Sequence, residues 1–263
     1  MKLLTLIFAG LFLADQVFAE VRMWTDSSGN SFAGELSKVV LGRVYIRDVD
    51  GKIRSVSLDS LSKAEQQYLS SHVPPELEIT VRKKSRDLPN YAWSSLNYYT
   101  TLYTFSITLE KQSRLDYRGD LIVELFVIGQ DLAAKSNDAF VLMHYDRSVC
   151  QLPDGRKSRS EVVVNDVRFE HFIAGYIQLS SASERGKEYV GYIVTVSDAK
   201  GRIIACKENG TPDWIENDLP YAAEQLKALY TQGYGSPDSC HFKEGFQKIS
   251  PPRIPWFKRS EQY

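Results

Sequence analysis

The chain has 263 residues, and its 32 basic and 33 acidic side chains give a formal net charge of −1 at pH 7. Charges this evenly balanced leave no large field of one sign, which argues against nucleic acid or an anionic membrane as the partner. The chain is rich in tyrosine (15) and phenylalanine (12), and together with many Val, Ile and Thr residues this composition favours β structure.

Residues 1–19 have the pattern of a secretory signal peptide. Lys2 supplies a positive charge, an almost unbroken apolar run extends from Leu3 to Leu13, and small residues precede a cleavage site after Ala19. The apolar run is well short of the roughly 20 residues that a transmembrane helix needs. We therefore expect a secreted or periplasmic protein with no membrane span once the leader is removed.

Residues 20–72 have the pattern of a small β-barrel with a closing helix. Short alternating runs separated by turn residues predict strands at 21–24, 32–40, 43–49 and 53–57. Asp50-Gly51 is a strong hairpin signal between the last two of these strands. Ser62, followed three residues later by Glu65, predicts a capping box at the start of a short helix.

A family resemblance runs through this module. It is carried by an ordered series: Arg22-Met23-Trp24-Thr25-Asp26, Gly29, 32–36, Gly42-Arg43-Val44-Tyr45-Ile46, Asp50-Gly51-Lys52, Val56-Ser57-Leu58 and Leu61-Ser62. The series resembles the Sla1 homology domain 1 (SHD1), an SH3-like barrel found in endocytic adaptors and, as a module, in many exported bacterial proteins. In the adaptors, the resemblance implies recognition of a short peptide with an Asn-Pro-Phe core, although no discrete motif carries the groove residues onto this sequence.

Four side chains of the module are candidates for peptide binding: Trp24, Tyr45, Arg47 and Arg54. Aromatic and arginine side chains are the usual anchors of a binding patch, and we expect Tyr45, Arg47 and Arg54 to face outward. The alternative is that Trp24 belongs to the barrel core and that the arginines form an ordinary solvated face.

Residues 73–75 contain consecutive prolines, which hold a chain extended and predict a linker to a larger domain at 76–230. Strands are predicted at 77–82, 102–109, 121–128, 140–145, 161–167, 172–179, 189–197 and 202–207. Eight strands at this spacing indicate an antiparallel β-sandwich, and an immunoglobulin-like topology is a guess from the strand count.

One helix follows the predicted sandwich. Asn217 or Asp218 would cap it, Pro220 would lie in its first turn, and it would pack on a sheet edge or between the sheets. Residues 231–263 are rich in Gly, Pro and aromatic side chains and predict an irregular tail whose aromatics pack back onto the domain.

Three cysteines, Cys150, Cys206 and Cys240, follow the leader. An oxidising compartment would allow one disulfide, and Cys206 with Cys240 is the favoured pair because it would fix the tail to the domain. The alternative is three reduced thiols that act as small buried hydrophobes.

Catalytic and metal-binding motifs are not found in the sequence, so no cofactor, metal or catalytic residue is predicted. The one conceivable nucleophile and base are Cys150 and His144, with Asp146 nearby. Two hypotheses follow. The first is a non-catalytic extracytoplasmic binding or scaffold protein that recognises a peptide, a protein or an envelope component through the barrel and the sandwich. The second is a hydrolase of unrecognised type that uses the small module for targeting.

Overall fold

A computed structural model describes residues 21–40, 42–88, 97–133, 138–155, 157–174, 183–233, 235 and 240–251. The predicted leader lies outside these residues. The chain divides into two compact units after Leu69. This division lies within a helix that ends just before the predicted linker at 73–75.

The first unit is a small antiparallel barrel. Its strands are β1 (Val21–Thr25), β2 (Ser31–Val40), β3 (Arg43–Asp48) and β4 (Ile53–Ser57), and they follow one another in the sheet in that order. A 3-10 turn (Leu58–Ser60) then leads the chain back to β1, where Leu61 forms a β-bridge with Asp26 and Ser62 N–H donates to Thr25 O at 2.9 Å. This return closes the sheet into the predicted barrel.

Helix α1 (Lys63–His72) follows the barrel closure. Ser62 Oγ accepts a hydrogen bond from the Glu65 N–H at 3.3 Å, so half of the predicted capping box forms. The Glu65 carboxylate instead pairs with Arg22 at 2.8 Å. The helix closes over the barrel core, whose buried side chains are Trp24, Leu36, Val44, Ile46, Leu58, Leu61 and Leu69.

The second unit is an antiparallel β-sandwich. Its strands are β5 (Leu77–Leu88), β6 (Asn97–Lys111), β7 (Leu121–Asp131), β8 (Phe140–Cys150), β9 (Arg159–Ala174), β10 (Ser183–Ser197), β11 (Ile203–Asn209), β12 (His241–Lys243) and β13 (Gln247–Lys248). Sheet 1 has the order β5-β6-β9, and sheet 2 has the order β11-β10-β7-β8-β12-β13. The order β5-β6-β9 opposite β11-β10-β7-β8 is that of strands A-B-E and G-F-C-C′ in immunoglobulin-like sandwiches.

Strand β10 joins the two sheets. Its residues 183–186 pair with β9 of sheet 1, and its residues 187–197 pair with β7 of sheet 2. The strand changes sheets at Gly186, where φ is +104° and an added Cβ would lie 2.1 Å from Glu170 O. Only glycine fits this backbone conformation and this close approach. Strand β9 (Arg159–Ala174) is continuous and includes the predicted strand 161–167 and the first residues of the strand predicted at 172–179. Residues 175–179 lie outside the described part of the chain.

Two hydrophobic cores hold the sandwich together. The inner core lies between the sheets and includes Phe105, Ile107, Leu109, Val123, Leu125, Val127, Val164, Val167, Tyr192, Val194 and Val196. The outer core lies on the other face of sheet 2, where Phe126, Ile128, Leu142 and Ile193 pack against Ile215, Ala222, Ala223, Leu226 and Leu229. These last five belong to helices α2 (Asp213–Glu216) and α3 (Leu219–Gln232).

The position of α3 differs from the prediction. It packs on the outer face of sheet 2 rather than on an edge or between the sheets, because β7 and β10 present apolar side chains on both faces. Asp218 is its N-cap, with Oδ1 accepting from Tyr221 N–H at 3.0 Å, and Pro220 lies in the first turn as predicted.

The predicted irregular tail contains more order than expected. Residues 240–251 form β12, a 3-10 turn (Glu244–Phe246) and β13, which extend sheet 2 beside β8. The prediction of an irregular segment was wrong here because Phe242 and Phe246 enter the outer core, where their burial holds two short strands in place. The predicted return to the domain is confirmed for Phe242 and Phe246. The same prediction for Trp256 and Phe257 lies outside the described residues. In the ranges that the structure describes, no helix is long and apolar enough to cross a bilayer.

Candidate binding surfaces

The barrel has one solvated sheet face, and we call it the barrel outer face: Val21, Met23, Glu35, Tyr45, Arg47 and Ile53. Strand register aligns four of these residues in one row across all four strands, because Val21 is paired with Glu35, Glu35 with Arg47, and Arg47 with Ile53. An opposite-charge pair therefore lies between two apolar side chains.

The apolar members of this face are unusually exposed. Val21 is 61%, Met23 57% and Ile53 59% accessible to solvent. Single exposed apolar residues are ordinary, but several on one face mark a surface suited to contact with another chain. The barrel outer face can therefore offer apolar contact together with both charges of the Glu35–Arg47 pair.

Two of the four predicted binding residues lie on this face. Tyr45 and Arg47 are on β3, and the Lys38 ammonium group lies 5.2 Å from the Tyr45 ring centroid. Arg54 instead is paired in register with Ile46 on the opposite face, and its Nε lies 3.3 Å from Asp48 Oδ2.

Trp24 is a core residue, as the alternative interpretation held. It has no exposed surface, and its indole N–H donates to Gly34 O at 3.0 Å. Because side chains alternate along a strand, a buried Trp24 turns its neighbour Met23 outward. Met23, Val21 and Ile53 were not predicted on the barrel outer face, although this alternation could have identified the first two.

The sandwich has a cleft between the outer face of sheet 2 and α3, and we call it the helix cleft. Its volume is about 490 Å³. Strand and loop residues form one wall, and the first half of α3 forms the other. It is lined by Ile122, Glu124, Arg147, Ser197, Gly201, Arg202, Ile203, Pro220, Ala223, Glu224 and Lys227.

Glu124 is the buried acid of the helix cleft. It is only 6% exposed, and its Oε1 accepts hydrogen bonds from Tyr145 OH at 2.5 Å and Lys227 Nζ at 2.6 Å. Burial and the neighbouring Glu124 carboxylate raise the pKa of Tyr145, so its phenol remains a hydrogen-bond donor at neutral pH. The Lys227 ammonium group, which lies 103 residues further along the sequence, compensates the charge of the Glu124 carboxylate.

The three cysteines are free thiols, so the predicted disulfide between Cys206 and Cys240 is not formed. Cys206 lies on β11 at one edge of sheet 2, whereas Cys240 accepts at its carbonyl from Leu142 N–H beside β8, towards the other edge. Four strand spacings of about 4.8 Å place them roughly 19 Å apart, far beyond the reach of a disulfide. The alternative of three reduced thiols describes this structure.

Cys150 and His144 do not form a catalytic pair. They lie six residues apart on β8, which corresponds to about 20 Å along an antiparallel strand. Burial raises the pKa of the Cys150 thiol, and it also raises that of Cys206, to about 11. Thiols with raised pKa values are poor nucleophiles because the thiolate is scarce at neutral pH.

The histidines and acids do not assemble elsewhere into a metal centre within the described residues, where no group of three or more His, Cys, Asp or Glu side chains is placed to hold an ion. His241 does meet a carboxylate: its Nε2 lies 2.9 Å from Asp131 Oδ2, and both side chains are buried. This pair joins β12 to the end of β7.

The geometry defines a mainly β protein composed of a small barrel unit and a β-sandwich unit. No protein-family model matches the chain, and no curated protein matches it significantly. Among solved structures, the chain is similar to a crystal structure of a protein from Akkermansia muciniphila, with 14% sequence identity and a TM-score of 0.19. The similarity covers 54% of this chain and 76% of that chain, and its TM-score is too low to carry an argument.

Proposed function

We propose that this chain is an exported, non-catalytic binding protein whose SHD1-like barrel recognises a protein or peptide ligand through the barrel outer face. The leader pattern supports export, and the ordered residue series supports the family assignment. The observation that carries the binding function is the row across the barrel in which Val21, Arg47 and Ile53 are exposed and Glu35 is half-buried.

The chemistry of this row supports one kind of ligand. Exposed Val21, Met23 and Ile53 favour a partner with apolar side chains, since association removes their apolar area from water. Arg47 and Glu35 fix orientation, because charged groups in an interface contribute more to specificity than to affinity. The sandwich provides a second surface or a spacer, and no catalytic step is assigned to either unit.

Site-specific photo-crosslinking in the envelope fraction tests this proposal. A photoreactive amino acid replaces Ile53 in the full chain, and in a matched control it replaces Val163, which is 49% exposed on sheet 1. We expect one discrete protein adduct at position 53 and none at position 163. Arg47→Glu should abolish the adduct, whereas Arg82→Glu, at an exposed arginine of β5, should leave it unchanged.

The proposal is overturned if position 53 gives no adduct, or if both positions give the same adducts. It is equally overturned if Arg47→Glu and Arg82→Glu act alike, since capture would then depend on net charge rather than on the row.

A further inference from the structure

The ionic side chains of the helix cleft fall into two groups. Lys227 is paired with the buried Glu124 at 2.6 Å. Arg202 donates two hydrogen bonds to Asp198 Oδ2, from Nε at 2.8 Å and from Nη2 at 2.6 Å. These internal pairs leave two ionic groups of the cleft with no ion-pair partner within the described residues: Arg147 and Glu224.

Arg147 lies beside a carboxylate, that of Glu124, which is paired with other side chains. Arg147 on β8 is directly opposite Glu124 on β7, and such opposed residues have Cβ atoms about 4.5–5.5 Å apart. The Glu124 carboxylate nevertheless accepts from Tyr145 and Lys227. The Arg147 guanidinium is thereby left on the cleft wall with a planar set of donors that matches a carboxylate.

Glu224 lies across the cleft from the strands, on α3, one turn before Lys227. It is exposed, and it presents an acceptor for an ammonium group from the helix side. The unpaired charges of the two walls are therefore opposite in sign and sum to zero.

The cleft also has an apolar lining. Ile122 and Ile203 contribute from the sheet, and Pro220 and Ala223 contribute from the helix. A volume of about 490 Å³ falls within the roughly 300–1,000 Å³ typical of small-molecule sites, which combine apolar walls with a few placed polar groups.

We propose that the helix cleft binds short apolar peptides by both ends, with Arg147 on the terminal carboxylate and Glu224 on the terminal ammonium group. A ligand with one charge of each sign complements both walls, whereas a ligand with a single charge leaves one wall charge without a partner. The apolar side chains of the peptide lie on Ile122, Ile203 and Ala223.

Titration calorimetry with the dipeptide Leu-Leu tests the proposal on the full chain. N-acetyl-Leu-Leu lacks the ammonium group, and Leu-Leu-amide lacks the carboxylate. We expect Leu-Leu to bind, and each blocked peptide to bind at least about tenfold more weakly, which corresponds to a loss of about 1.4 kcal/mol.

Two variants assign the ends. Arg147→Gln should weaken Leu-Leu about tenfold and remove the difference between Leu-Leu and its amide. Glu224→Gln should remove the difference between Leu-Leu and its acetylated form. Arg82→Gln and Glu161→Gln, at exposed positions on sheet 1, should bind all three peptides like the unaltered chain.

The inference is overturned if Leu-Leu does not bind, if the three peptides bind equally, or if the two cleft variants retain full discrimination. These results are independent of the barrel, because crosslinking at Ile53 concerns the other unit.

Discussion

The two sheets of the sandwich differ in how many layers cover them. In sheet 1, β6 alternates buried Phe105, Ile107 and Leu109 with partly exposed Thr104, Ser106 and Thr108. In sheet 2, every residue of β7 from position 123 to position 129 is buried. An alternating strand has one covered face, and a nearly continuous apolar run, which in β7 is interrupted by Glu124, has two. The hydrophobic pattern of a strand therefore reports its number of covering layers.

The same comparison explains where the helix cleft forms. Along β7, Phe126 and Ile128 lie in the outer core beneath α3. Glu124 and Ile122 are the next outward-facing residues towards the start of the strand, and both line the cleft. The cleft thus forms where α3 still covers sheet 2 but the outer face of β7 changes from the apolar Phe126 to the charged Glu124.

Removal of a side chain from the outer face of each sheet tests the difference in their covering layers. Phe126→Ala should lower the free energy of unfolding by about 3–5 kcal/mol, because it leaves a cavity under α3. Thr104→Ala, on the solvated face of sheet 1, should change it by less than about 0.5 kcal/mol. Urea unfolding measures both. Similar losses for the two variants would mean that α3 does not cover sheet 2 as described.

The strand shared by the sheets gives the next largest effect. Gly186→Ala should cost about 2–3 kcal/mol, because the backbone has positive φ and the new Cβ would clash with Glu170 O. Gly155 has a similar φ of +114° with nothing near the position of an added Cβ. Gly155→Ala therefore measures the strain of positive φ without the clash. Equal losses in thermal unfolding would show that β10 tolerates a side chain at the crossing.

Local patterns predicted most of the elements. The hairpin at Asp50-Gly51, the β4 strand and the start of α1 were all found from turn and capping residues, which act over a few positions. The strand alternation in β6 likewise revealed one buried face. Contacts between distant residues were not predicted, since their effect depends on the completed fold.

Four features of the structure show this limit. The Lys227–Glu124 pair joins residues 103 positions apart, and no local pattern identifies it. The predicted Cys206–Cys240 disulfide is not formed, because the spacing of two cysteines along the chain does not give their distance across a sheet. Trp24 is a candidate both for a binding anchor and for the core, because residue type alone does not decide burial, which depends on its partners across the barrel. The sequence predicts an irregular tail because strands of three and two residues carry too few positions for an alternating pattern.

The His241–Asp131 pair, which joins β12 to β7, predicts a pH dependence of the free energy of unfolding. Burial would raise the pKa of Asp131, but hydrogen bonds from His241 and from Ala133 N–H outweigh it and hold that pKa below its ordinary value. The stabilisation is therefore present above the unfolded-state pKa of about 3.9 and is lost as pH falls through the folded-state pKa.

Asp131→Asn should cost about 2 kcal/mol at pH 7, since it removes a hydrogen bond to a charged acceptor. Its stability should then fall less steeply than that of the unaltered chain below about pH 4. Urea unfolding between pH 7 and pH 2.5 measures both slopes. Asp120→Asn, at an exposed aspartate that accepts a hydrogen bond from Gln151, controls for the loss of one carboxylate. Parallel pH profiles for the unaltered chain and Asp131→Asn would contradict the assignment.

The smallest effect concerns the start of α3, where sheet 2 acquires its outer layer. Asp218 caps the helix by accepting from Tyr221 N–H, whereas its neighbour Asn217 ends α2. Asp218→Ala should therefore cost about 1 kcal/mol and lower the melting temperature of the sandwich by about 2–4 °C. Asn217→Ala should cost less than about 0.5 kcal/mol.

Because Pro220 and Ala223 line the helix cleft from this first part of α3, fraying there should also weaken Leu-Leu binding. A loss of stability that is equal in the two variants would place the cap elsewhere, and an uncapped helix that kept full peptide affinity would separate the cleft from the end of α3.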